Sequence, residues 1–199
     1  MKRKTRKTIT TTTRRLGLSI IAAPTSAGKT TFLIQQVREW LLDSNQKGNI
    51  LFWSAETSRS RVWAKIIANQ ARTTMGDVLS SAKQGLMPVD ISTAKTTLTG
   101  KSERLIVLDE TTTAWDLCRL GERLTLEPDG LYAVVIDYIQ ELEDVPENHQ
   151  WFTRLMHSRE LEVGIIARML GEFGHQNNVP VIAAAQSNPS VHFQKQAII

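Results

Sequence analysis

The chain has 199 residues, 41% of them hydrophobic and 22% charged, with a net charge of +4 and one cysteine. That length suits one ordinary α/β domain, and the composition excludes a disordered chain. No apolar run approaches the ~20 residues that span a bilayer, so no membrane association is expected, and Cys118 reads as a small buried hydrophobe in a reducing compartment.

The first fifteen residues, MKRKTRKTITTTTRR, carry seven Lys/Arg and no acid; beyond them 17 basic residues face 20 acidic ones, a net of −3. The basicity is thus a property of a Thr-rich tail over 1–15. It reads as a solvated terminus, with phosphate contact to nucleic acid as the alternative. An acid-free, Arg-rich start also resembles an organelle transit peptide, but the β-branched run Thr10 to Thr13 disfavours the amphipathic helix that needs.

The first apolar run, LSIIAA (18–23), predicts a strand, and APTSAGKT follows from Ala23. This matches the P-loop pattern with Ala23 at its first glycine. A chance match in a chain this long is on the order of one in a hundred. The order strand, small-residue loop, helix is what phosphate binding needs. Backbone N–H groups of Pro24-Thr25-Ser26-Ala27-Gly28 and the following helix N-terminus face phosphate oxygens, proline excepted as a donor. Gly28 permits close approach. Lys29 reaches the β- and γ-phosphates, Thr30 offers a hydroxyl to Mg²⁺, and Thr31 closes the loop. The expected cofactors are therefore ATP and Mg²⁺.

TTFLIQQVREWLL then shows apolar spacings of three and four, a one-sided helix. NILFWSA (49–55) predicts a second strand, followed by Glu56 and a helix in TSRSRVWAKIIANQAR with Ser58 as N-cap. Residues 72–103 read as a short helix and loops. RLIVLD (104–109) predicts a third strand, and Thr113 caps a helix over AWDLCRLGERL. YAVVID (132–137), the helix ELEVGIIARMLGEFGHQ and PVIAAAQ (180–186) complete the pattern. Continuous apolar runs alternating with helices predict an α/β fold with a largely parallel sheet. Trp53 and Trp63 read as core or interface residues. His157, His175 and His192 lack metal-ligand spacing.

Magnesium needs a carboxylate at a neighbouring strand end. LIVLDE offers Asp109 and VVIDYIQ offers Asp137. Ala23, Glu56, Asp109, Asp137 and Gln186 all fall at carboxyl ends of runs, where ligands of such sheets bind, so spacing alone does not choose.

Taken in order, IIAAPTSAGKTTF, LFWSAETS, VVIDYIQ and NVPVIAAAQSN resemble the RecA-like motor domain of the DnaB family of replicative helicases. RELEVGIIARMLGEF resembles that family's helix between its second and last nucleotide motifs, with Arg159, Glu162 and Arg168 at matching places. The resemblance spans roughly residues 16–192. It implies a RecA-like P-loop NTPase fold. It implies that Glu56 activates the attacking water, Asp137 serves Mg²⁺, and Gln186 senses the γ-phosphate and relays its state toward DNA. Asp109 then becomes an ordinary strand-end residue. Implied partners are single-stranded DNA, further copies in a homo-hexamer, and a primase or helicase loader. The implied location is the cytoplasm of a bacterial or phage-infected cell, with an organelle as the alternative. Candidate DNA contacts are Arg154 and Arg159 in segment 150–159, and the region of Lys195.

The resemblance has departures. Ala185 replaces a serine, Pro189 stands where an arginine is expected, and Gly171 weakens its helix. Thirteen residues follow Gln186, where the family continues to an arginine finger. The division expected is therefore a tail, 1–15, and a RecA-like ATPase domain, 16–199, incomplete at its C-terminal side. Without a finger, worth ~10³–10⁵ in rate, hydrolysis by the chain alone should be slow. An open sheet edge should also expose apolar surface. Two other functions remain open at this point. One is another RecA-like ATPase of recombination or clock type; the other is a catalytically weak nucleotide-binding fragment or subunit.

Overall fold

The computed structural model describes residues 16–143 and 158–187. The basic segment 1–15, and Arg154, His157, Pro189, His192 and Lys195, lie outside the described residues.

Each of the five apolar runs forms a strand: β1 (Gly17–Ala23), β2 (Asn49–Ser54), β3 (Leu105–Leu108), β4 (Leu131–Asp137) and β5 (Pro180–Gln186). All pair parallel, in the order β1-β5-β4-β2-β3. Alternate side chains of one strand enter different cores, which is why polar alternation is missing. Leu51 and Trp53 pack under α5 (Ala114–Thr125) and α6 (Arg159–Gln176). Ile50 and Phe52 pack under α1 (Lys29–Leu42) and α2 (Arg59–Ala71). Phe52 and Trp53 are wholly buried. Truncating Phe52 to alanine would cost about 3–5 kcal/mol, transfer and cavity terms together.

Helix α6 runs unbroken through Gly171. Its Gly174 is required by packing: a Cβ there would lie 2.8 Å from Gly17 Cα and from the Val179 carbonyl oxygen. Thus α6 lies directly on the start of β1. Among the described residues β1 pairs with β5 alone, and its Ile20 is 50% exposed, as expected of an open edge.

Residues 72–103 differ from the sequence reading. They form two helices, α3 (Met75–Gln84) and α4 (Val89–Thr99), rather than one short helix and loops. α3 begins with a capping box between Thr74 and Asp77 and ends on Gly85 at φ 68°. Both signals were present in the sequence. α4 is harder to foresee, because its threonines are β-branched and favour other conformations. Thr96, Thr97 and Thr99 instead donate to carbonyls one turn earlier. Burial of Ile91, Ala94 and Leu98 supplies what propensity lacks.

The N-cap prediction is correct at Thr113, whose Oγ1 accepts the Asp116 N–H at 3.0 Å. Ser58 also stands at the N-cap position, but its side chain makes no cap hydrogen bond. The first N–H of the helix, that of Arg59, donates at 2.7 Å to Asp109 Oδ2, a carboxylate brought from another strand that suits the positive end of the helix.

Candidate functional site

The loop from Pro24 to Gly28 is exposed between β1 and α1. It turns tightly: the Ala27 N–H donates to the Pro24 carbonyl at 3.3 Å, and Ser26 and Gly28 adopt φ 61° and 91°. Left-handed residues alternating with others turn successive N–H groups toward one concavity, which suits an anion. A Cβ at Gly28 would meet nothing within 4 Å, so the space in front of α1 is open. Lys29, half-buried, folds back over this loop. Its Nζ donates to the carbonyls of Ala23 at 2.8 Å and Pro24 at 2.9 Å. Thr31 is exposed on the first turn.

Sheet register brings the other candidates to the same edge. Ala23 pairs with Gln186, and Ser54 with Asp137. The Gln186 side-chain amide donates at 2.6 Å to Thr25 Oγ1 in the loop. Ser54, fully buried, accepts the Thr57 N–H at 3.1 Å, and this turn carries Glu56 outward.

Asp137 is 6% exposed. Burial pushes its carboxyl above the ordinary value and Glu56 adds to this; a hydrogen bond from Thr30 and the charges of Lys65 and Lys29 oppose the rise. Lys29, Thr30, Glu56 and Lys65 therefore lie within electrostatic reach of Asp137. Asp109 does not join them. Strand β3 is four positions from β1, about 19 Å at ~4.8 Å per strand, whereas β4 is two.

The donor set fits a magnesium nucleotide. Thr30 and Asp137 offer hard oxygen atoms of the kind Mg²⁺ takes. Among the described residues no group of three or more His, Cys, Asp or Glu could hold a metal by itself. A cation here would be shared with phosphate, which is the usual arrangement for Mg²⁺.

Three residues of this region escaped the sequence reading. Lys65 is half-buried in α2, and its Nζ donates at 3.4 Å to Thr57 Oγ1. Its one sequence signal is its place beside the buried stripe of Val62 and Ile66. Tyr138 donates at 2.6 Å to Glu141. That bond, then burial, then the charges of Glu141 and Glu56 push its hydroxyl up to about 12. Gln140, the last letter of DYIQ, bonds both ways to the Gln186 backbone. Arg159 was expected near DNA; its guanidinium donates to the carbonyls of Gln140 and Leu142 and pairs with Glu162.

The chain has known relatives in sequence and in fold. The replicative DNA helicase DnaB of Buchnera aphidicola (subsp. Baizongia pistaciae) is 26% identical over 174 residues, 87% of this chain and 35% of the relative. The DnaB of Geobacillus stearothermophilus is 27% identical over 180 residues, 89% of this chain and 37% of the relative. The chain thus spans little more than a third of these relatives' length. A DnaB-like replicative helicase, solved in a study of its interactions with primase, superposes with a TM-score of 0.70 at 21% identity, covering 94% of this chain and 42% of that one. A second solved structure, of an ATPase domain, gives 0.71 at 21% identity over 92% of this chain and 61% of that one. These two share the RecA-like fold of parallel sheet and flanking helices. The family model of the DnaB-like helicase C terminal domain matches residues 7–197, and the chain belongs to that family.

Proposed function

We propose that this chain is the ATP-driven motor domain of a DnaB-like replicative helicase, coupling ATP hydrolysis to movement on single-stranded DNA. The observation that carries the reading is the small-residue loop ahead of α1, over which Lys29 folds and which Gln186 meets through Thr25, with buried Asp137 and exposed Glu56 at the carboxyl ends of neighbouring parallel strands.

Mg²⁺-ATP, when bound, supplies the transferable phosphoryl group and the cation that neutralises its charge. The chain's residues divide the remaining work. Backbone N–H groups from Thr25 to Gly28 bind phosphate oxygens, and Lys29 offers its ammonium to the β- and γ-phosphates. Thr30 and Asp137 hold the metal. Glu56, exposed at the end of the Ser54 turn, orients a water and takes its proton. Gln186, in contact with Thr25, responds to the terminal phosphate. Lys65 balances the two carboxylates from the α2 side. By family membership the working form is a hexameric ring with sites between subunits, in contact with single-stranded DNA and a primase or loader, in the cytoplasm.

The test is ATP hydrolysis by the purified chain with and without single-stranded DNA, beside Glu56→Gln. We expect DNA-stimulated turnover that falls about 10²–10⁴-fold in the variant, with nucleotide binding retained. Turnover unaltered in Glu56→Gln would sink the assignment.

A further inference from the structure

Gln186 ends β5, and its side chain reaches the phosphate loop. On the β1 side its backbone is held by the ladder, which pairs it with Ala23 and continues to the Ser187 N–H, donating at 3.2 Å to the Ala23 carbonyl; what holds the β4 side is less obvious. The pairing of β5 with β4 runs from Val134–Val181 to Ile136–Ala183 and stops there. Toward β4, the peptide of Gln186 would then lack a ladder partner, and an exposed strand end frays readily.

The Gln140 side chain takes that place. Its Nε2 donates at 2.9 Å to the Gln186 carbonyl, and its Oε1 accepts the Gln186 N–H at 3.1 Å. A primary amide offers one donor and one acceptor in a plane, as a peptide does, so it can extend a ladder by one rung. Gln140 is itself fastened. It lies in a short helical turn, Ile139–Glu141, whose Ile139 is buried, as is Leu142 just after it. Arg159 Nη2 donates at 2.6 Å to the carbonyls of both Gln140 and Leu142, and Glu162 pairs with the same guanidinium.

We propose that Gln140 is a positioning residue for Gln186. It holds the end of β5 at the height where the Gln186 amide meets Thr25 Oγ1. This rests on the reading of Gln186 as the group that responds to the terminal phosphate. The consequence is specific. The side-chain hydrogen bonds of Gln140 go to the Gln186 backbone rather than to Lys29, Thr30 or the loop, so losing it should spare binding of a diphosphate. What it should weaken is the preference for a triphosphate.

The experiment measures affinities of the purified chain, with Mg²⁺, for ADP and for the imido analogue of ATP, which is not hydrolysed. The variants are Gln140→Leu, Gln186→Ala and the pair. Gln186→Ala should lower the triphosphate preference about fivefold. Gln140→Leu should do nearly the same while ADP affinity changes less than about twofold, and the double variant should be no worse than Gln186→Ala alone. A merely structural residue would weaken both nucleotides together. Amide exchange at Gln186, read by NMR without nucleotide, should speed up about tenfold or more in Gln140→Leu. Gln140→Glu, which keeps the acceptor and loses the donor, should fall between. Three results overturn the proposal: a full triphosphate preference in Gln140→Leu when Gln186→Ala has lost it, additive losses in the double variant, or unchanged exchange at Gln186. An unchanged preference in Gln186→Ala marks a different failure. It overturns the reading of Gln186 as a phosphate sensor, and Gln140's part in sensing falls with it.

Discussion

Asp109 and Asp137 each follow an apolar strand, and each stands at the same end of the same sheet. Their surroundings differ in every other respect. Asp137 is buried, bonded to Thr30, and faces two lysines and a glutamate. Asp109 is exposed on the far edge strand, where its carboxylate receives the first N–H of α2. One carboxylate is held in a costly place beside a phosphate loop, and the other completes a helix. An ionised group persists at a desolvated position only where partners offset the burial, and this concentrates such groups at working sites.

The largest effect expected tests the pocket around Asp137. Lys29→Ala removes the cation on the loop and should lower turnover by on the order of 10²–10³, with weaker nucleotide binding. Unchanged affinity and turnover would break the contrast at its root. Asp137→Asn should lower Mg²⁺-dependent turnover by at least about 10²-fold. Asp109→Ala should leave turnover unaltered and instead cost about 1 kcal/mol of stability, the usual worth of a helix cap, read as a lower midpoint in urea. If the two aspartate variants exchanged these outcomes, the assignment of roles would be reversed.

A pH series sharpens the same comparison. The folded state raises the carboxyl of Asp137 above its ordinary 3.8, chiefly through burial. The folded protein therefore binds that proton more tightly than the unfolded chain does. The contribution of this group to stability is fully present below 3.8 and declines as pH rises through the raised folded value. Asp137→Asn should flatten that decline and be more stable than the parent at neutral pH, measured without nucleotide or metal. A less stable Asp137→Asn at neutral pH would contradict the desolvation account.

The smallest effect concerns a buried titratable group with no such partners. Cys118 on α5 is 7% exposed, and burial, with Glu122 adding to it, pushes its thiol up to about 12. It should resist alkylation at pH 8 in the folded protein and react only on unfolding, followed by mass spectrometry. Rapid labelling of the native chain would show that α5 opens far more easily than its packing implies.

The strands were legible because their composition is one-sided. A stretch such as NILFWS, uniformly buried, has no other comfortable place in a domain. The phosphate loop was legible because its physics is local: a strand, five small residues and a helix N-terminus are consecutive in the chain. Helix α4 was not, because its threonines argue against a helix and only contact with α2 overrules them. Lys65 was missed for a related reason. A lysine on a helix is ordinarily solvated, and nothing in its neighbours shows that the fold brings its ammonium to Thr57 and within electrostatic reach of Asp137.

The sequence by itself determined that there would be a parallel sheet, a small-residue loop of P-loop pattern beginning at Ala23, and two strand-end aspartates. Only the tertiary structure set those aspartates apart, burying Asp137 and leaving Asp109 exposed at the start of α2. Strand order is a long-range property: β4 lies two positions from β1 and β3 four, although β3 comes first along the chain. The same holds for Gln140 and Gln186, 46 residues apart in sequence, which meet because β5 inserts between β1 and β4. Local chemistry makes a residue fit for a task, and the order of strands in the sheet determines which of the fit residues can reach it.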